Sequence, residues 1–164
     1  MDSGSIIAGA ILLLICLFPF IITYYIRTKK SSHLLKILNE HAKNQNCKLS
    51  QHEFCGDFIL GVDESRKWIF FLKQKKENII FQNVNLEEIQ ACRTEKKLKN
   101  GKNVNGQFSI IDRVELHFIP SNKSKRETIF ELYEEETNTQ LSGELQFVDK
   151  WSKRINDLKK SNNN

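Results

Sequence analysis

Four residues of zinc-ligand type, His41, Cys47, His52 and Cys55, fall within 15 positions and spell H-x5-C-x4-H-x2-C. Thiolates and imidazoles are the usual ligands of a structural zinc site, which closes with four of them. This set lacks a paired C-x2-C, matches no finger spacing, and would need a helix and a first strand to converge. The expectation is core cysteines and surface histidines that do not meet. Nucleophilic catalysis would need a thiol or hydroxyl beside a histidine, with an acid to orient it. Cys92 lies mid-strand in an apolar run, as an inert buried thiol would. His117 alternates with apolar residues and falls on the polar face of its strand. No Gly-x-Ser-x-Gly, phosphate-cradling glycine loop or zinc-protease helix is present. The sequence therefore predicts no catalytic residue, no metal, no cofactor and no small-molecule substrate. A concave pocket gathering His52, Cys55 and His117 would reopen the question.

Charge supplies the other chemistry. The acids Asp63-Glu64, Glu87-Glu88 and Glu134-Glu135-Glu136 fall at predicted turns, which select such residues. The stretch RTEKKLKNGK, residues 93–102, sets Arg93, Lys96, Lys97, Lys99 and Lys102 against Glu95, a local +4. A solvated hairpin loop would look like this, and so would a loop that touches anionic lipid, where each basic residue contributes about 1 kcal/mol. Nucleic acid is not an expected partner, because no aromatic residues interleave the cations for stacking. The candidate lipid-surface residues are these five together with Arg27, Lys29 and Lys30.

The elements that would position them begin with a membrane segment. Between Asp2 and Arg27 there is no charge, and Ser5 to Ile26 reads SIIAGAILLLICLFPFIITYYI, 22 residues. At 1.5 Å per residue that length matches a hydrocarbon core of roughly 30 Å. Ile6, Ile7, Leu12, Leu13, Leu14, Phe18 and Phe20 would face lipid, with Tyr24 and Tyr25 in the headgroup layer. Pro19 would kink the helix, which bilayer helices tolerate. A cleaved signal peptide would need a positive n-region, a shorter apolar stretch and a small-x-small cleavage site after it, whereas the N-terminus offers Asp2 and the run ends in Thr-Tyr-Tyr-Ile-Arg. Cations follow the run at once and none precede it, so the positive-inside rule places the rest of the chain in the cytoplasm, at the inner (plasma) membrane with the N-terminus outside. That remainder carries 25 basic against 19 acidic residues, a formal +6. Cys47, Cys55 and Cys92 are odd in number and follow no disulfide framework, as reduced thiols would.

Beyond the anchor and its basic flank (1–30), a Ser-capped juxtamembrane helix is predicted over 31–46, with Leu34, Leu35, Leu38 and Ala42 on one stripe. From Cys47 the period changes. Strands are expected at Phe58–Val62, Trp68–Leu72, Ile79–Gln82, Ile89–Thr94, Ser109–Ile119 and Glu127–Tyr133, with polar loops over Glu95–Gln107 and Pro120–Arg126. Leu141, Leu145, Val148, Trp151, Ile155 and Leu158 then recur on one face of a closing amphipathic helix. Residues 161–164 should fray.

The fold class is thus α+β: a transmembrane helix, then six or seven antiparallel strands capped by one helix. The hairpin FILGVDESRKWIFFL, the segment VNLEEIQACR and the closing WSKRINDL together resemble the pleckstrin-homology superfold, in which two near-orthogonal sheets form a half-open barrel plugged by the final helix. The order is also similar to small bacterial membrane proteins in which an N-terminal span precedes such a domain, here residues 47–160. The resemblance implies little about activity, since this superfold serves lipid binders, peptide binders and structural modules alike. The expected function is a non-enzymatic, single-pass, membrane-anchored interaction module that contacts anionic phospholipid headgroups or a membrane protein partner. The rival is an assembly subunit of a membrane complex, with an enzyme or zinc-binding domain third.

Overall fold

The run Phe58-Ile59-Leu60-Gly61-Val62 has no polar member, and a strand of that kind needs apolar cover on both faces. In the computed structural model it has both. The structure describes residues 16–18, 29, 31–75, 78–103, 106–136, 140–141 and 143–160. Two compact units divide the chain, Met1–Ile37 and Leu38–Asn164, and the sheets belong to the second.

Helix α1 covers 31–44. It is followed by β1 (Gln51–Cys55), β2 (Phe58–Asp63), β3 (Trp68–Lys75) and β4 (Asn78–Asn85), an antiparallel sheet in sequential order. A second antiparallel sheet holds β5 (Ile89–Asn103), β6 (Gly106–Pro120) and β7 (Thr128–Glu134), and α2 (Glu144–Lys160) ends the described chain. The expected α+β class and closing helix are present, and the strands, expected as six or seven, are seven among the described residues.

Side chains alternate across a strand, so β2 divides cleanly. Phe58, Leu60 and Val62 join Ile69, Phe71, Leu116, Phe118, Phe130 and the α2 residues Phe147, Val148, Trp151 and Ile155 in one core. Ile59 and Gly61 face the other way, paired across the ladder with Leu72 and Phe70. The 38–44 portion of α1 and the segment after it cover this second face. A Cβ on Gly61 would lie 3.1 Å from both Leu38 Cδ2 and Leu49 Cδ2, so the absent side chain is what lets them approach. The His41 ring stacks on Phe81 at 4.0 Å.

Local chemistry sets the turns. Gly56-Asp57 joins β1 to β2 with Gly56 at φ +54, the glycine-first arrangement that suits a tight hairpin. After β2, the buried Asp63 carboxylate accepts from the Ser65 hydroxyl (2.6 Å), the Arg66 amide (3.0 Å) and the Lys48 amide (2.7 Å). It thereby holds the β2–β3 turn expected around Asp63-Glu64-Ser65-Arg66.

The closing helix also seals a sheet edge. Strand β5 lies at the edge of its sheet, and unpaired edge groups need partners. The Asn156 side chain supplies them like a short extra strand: its Oδ1 accepts from the Cys92 amide at 3.0 Å and its Nδ2 donates to the Cys92 carbonyl at 2.7 Å. The Ser152 hydroxyl donates to the same carbonyl at 3.2 Å. Replacing Asn156 with Ala should cost about 2 kcal/mol, because two part-buried backbone groups lose a partner. A urea midpoint that implies less than about 0.5 kcal/mol would contradict the assignment.

Three expectations need correction. Gln51–Cys55 is a strand that the sequence reading omitted. Glu95–Gln107, read as a loop, is mostly ladder, since β5 and β6 pair continuously out to Asn103 and Gly106 with a bulge at Lys97/Leu98. At about 3.3 Å per residue these 15-residue strands run roughly 50 Å. The closing helix begins at Glu144, after Gly143, so Leu141 packs on the core from ahead of it. A loop does separate β6 from β7 as expected, although Pro120 itself is the last residue of β6, paired with Ile89.

Of the predicted span over 5–26, only residues 16–18 are described. They are helical, with Leu17 and Phe18 exposed. Ile6, Ile7, Leu12, Leu13, Leu14, Phe20, Tyr24, Tyr25, Arg27 and Lys30 lie outside the described residues, as does the 161–164 tail. Among the described residues no helix is long and apolar enough to cross a membrane.

Candidate functional site

The outer face of the second sheet carries the densest polar chemistry. Register sets Arg93 opposite His117, Glu95 opposite Glu115 and Lys97 opposite Arg113. Glu127, just ahead of β7, reaches the same spot. His117 and Glu115 are 5% and 4% exposed although they stand on the polar face. His117 Nε2 lies 2.9 Å from Glu115 Oε2 and 3.5 Å from Glu95 Oε2, and its Nδ1 lies 3.1 Å from Glu127 Oε2.

Cations frame this cluster. Lys97 Nζ is 3.0 Å from Glu115 Oε2, and Arg93 Nη2 is 3.4 Å from Glu127 Oε2. Burial pushes the Glu115 carboxyl upward, but donors on His117 and Lys97 outweigh it and hold the group below the usual carboxylate range. The His117 hydrogen bond, then Arg93, holds Glu127 below that range as well. Ionised carboxylates only accept, whereas a neutral imidazole donates from one nitrogen alone. Nδ1 of His117 faces Glu127 and Nε2 faces Glu115 and Glu95, and which nitrogen donates depends on the tautomer.

A second polar group ties β3 to β7. Lys73 is fully buried and donates to the Glu131 backbone carbonyl at 3.2 Å and to Glu131 Oε1 at 3.3 Å. Lys75 pairs with Glu134 at 2.6 Å. Strand β7 is an edge, and Lys73 supplies a donor there that the ladder lacks.

The residues singled out from sequence distribute as follows. His41 stacks on Phe81, His52 is exposed on β1, and Cys47 and Cys55 are buried. Among the described residues the group that brings three ligand-type side chains within 4.8 Å is instead Glu95, Glu115 and His117. The cleft lined by Cys55, Glu53, Phe54 and Phe147 holds neither His52 nor His117. Burial pushes the Cys55 and Cys92 thiols up to about 12, and it raises Cys47 as well. Iodoacetamide at pH 8 should thus leave these three thiols unmodified until the chain is unfolded, since the thiolate is the reactive form. Mass-spectrometric labelling of any of them in the folded chain would contradict this.

The basic stretch proves to be divided. Lys96 pairs with Asp149 of α2 at 3.0 Å, and Lys99 with Glu135 at 3.6 Å, while Arg93 and Lys97 pair with the acids around His117. Lys102 lies in β5 and Lys29 is exposed. The sequence reading missed the His117 cluster because its members meet only through cross-strand register. The i, i+2 pair Glu115 and His117 was the one signal available, as it puts both on one face of a strand.

No protein-family model, curated protein or solved structure matches the chain.

Proposed function

We propose that the chain is a non-enzymatic, single-pass membrane protein whose β-rich domain acts as an interaction module on the cytoplasmic surface of the inner (plasma) membrane. The observation that carries this is the uncharged 22-residue run followed at once by Arg27, Lys29 and Lys30. Two antiparallel sheets closed on a side-chain core by one C-terminal helix support a pleckstrin-homology-like reading of the domain. A tether of this kind raises the domain's local concentration toward other membrane components.

Anionic headgroups would meet the juxtamembrane cations first. Arg93, Lys96, Lys97 and Lys99 each sit beside a carboxylate, which offsets their attraction to a lipid surface. The test is extraction of membranes with alkaline carbonate. The full chain should stay in the pellet and a chain beginning at residue 31 should leave it. Release of the full chain would refute the anchor.

A further inference from the structure

We propose that Glu95, Glu115 and His117 bind a divalent first-row transition metal, with zinc as the reference ion and Glu127 as the group that orients the imidazole. Three features of the outer face of the second sheet converge on this. The first is spacing. Zinc holds nitrogen and oxygen ligands at about 2.0–2.2 Å, so neighbouring donor atoms of a tetrahedral site stand roughly 3.4 Å apart. His117 Nε2 lies 2.9 Å from Glu115 Oε2 and 3.5 Å from Glu95 Oε2, so the donors bracket that separation.

The second feature is the support behind the histidine. A metal-bound imidazole nearly always donates its other N–H to a carboxylate or carbonyl, which fixes its tautomer and direction. His117 Nδ1 has Glu127 Oε2 at 3.1 Å, so a metal that takes the place of the Nε2 proton would leave Nδ1–H directed at that carboxylate. The third is rigidity and burial. Glu95 and Glu115 are directly opposed across the β5–β6 ladder, His117 is two residues along the same face, and both Glu115 and His117 are almost wholly buried. One imidazole and two carboxylates suit zinc, manganese, iron or cobalt, and three protein ligands leave a coordination position for water or for a carboxylate of a partner.

Lys97 is the nearer of two built-in competitors, the other being Arg93, whose Nη2 lies 3.8 Å from Glu95 Oε2. The Lys97 ammonium contacts Glu115 Oε2 at 3.0 Å from an exposed, flexible stem, so it can swing away when a dication arrives. Removing its charge should strengthen metal binding.

The experiment uses the full chain in mild detergent, stripped with chelator and titrated with Zn2+ by calorimetry and with Co2+ by its visible absorption. One equivalent should bind. Glu95→Gln and Glu115→Gln should each weaken binding at least tenfold, and Glu127→Gln by about 10- to 100-fold. Lys97→Met should tighten it severalfold, and His41→Ala with His52→Ala should leave it unchanged. Glu95 is partly exposed, so its variant keeps the fold, checked by circular dichroism, even if changes at His117 do not. No saturable uptake of either metal by the wild-type chain would overturn the proposal. Uptake unaltered by Glu95→Gln and Glu115→Gln would overturn it equally.

Discussion

Replacing Trp151 with Ala should destabilise the domain by about 3–5 kcal/mol, the range for removing a large aromatic side chain from a packed core. Trp151 is 1% exposed, lies beside Phe147 at 5.9 Å between ring centroids, and joins α2 to the residues of both sheets in one cluster. Its indole N–H donates to Glu53 Oε2 at 2.9 Å, which ties the first strand to the helix. Two losses therefore coincide, since a cavity opens and the Glu53 carboxylate gives up one donor. Trp151→Phe separates them: it keeps most of the packing and should cost about 1–2 kcal/mol. Urea unfolding followed by the fluorescence of Trp68 measures both variants. A loss under about 1 kcal/mol for the alanine variant would mean that α2 does not seal the core as described.

The second large effect concerns the proposed membrane anchor. Changing Leu13 and Leu14 together to Arg should move the chain from the membrane fraction to the aqueous one. Near the centre of a spanning helix Arg costs about 2.5–3.5 kcal/mol and Leu contributes about −0.3 to −0.6, so each exchange shifts insertion by roughly 3 kcal/mol. Quantitative immunoblotting of separated fractions reads the result. The control is the double change to Ile, which should stay with the membrane. Equal distribution of the Arg and Ile variants would show that these leucines do not contact lipid.

How much of this was legible depends on whether a residue's environment is local. The closing helix was readable because Val148, Trp151 and Ile155 must all reach one core, and the burial of α2 follows that stripe. Phe147 extends the buried face beyond the stripe read from sequence, since a helix under two sheets is covered over more than one row. The β2–β3 hairpin was readable for the same reason. The outer part of β5 was not. Apart from an exposed Leu98, residues 95–100 are polar at every position, so they show no apolar alternation, and a backbone ladder to β6 is what makes this stretch a strand. Strand β1 was hidden in the same way, because Gln51 and His52 are exposed.

Cover for the second face of the first sheet was implied by the continuous apolar run of β2, but which segment supplied it was not. The site was the least legible feature of all. His117 was placed correctly on a polar face, yet nothing in the sequence tells that Arg93, Glu95, Glu127 and Lys97 surround it. Those neighbours come from two other stretches, β5 and the residue just ahead of β7, brought beside β6 by the fold. The H-x5-C-x4-H-x2-C spacing, by contrast, placed ligand types close in sequence, while the fold put the two cysteines inside and left His52 at the surface.

The tether and its direction are tested most directly by a pair of fusions at the C-terminus of the full chain: a phosphatase that is active only after export, and a fluorescent protein that matures only in the cytoplasm. Bright fluorescence from the membrane fraction with an inactive phosphatase is the predicted result. An active phosphatase with a dark fluorescent protein would contradict the account.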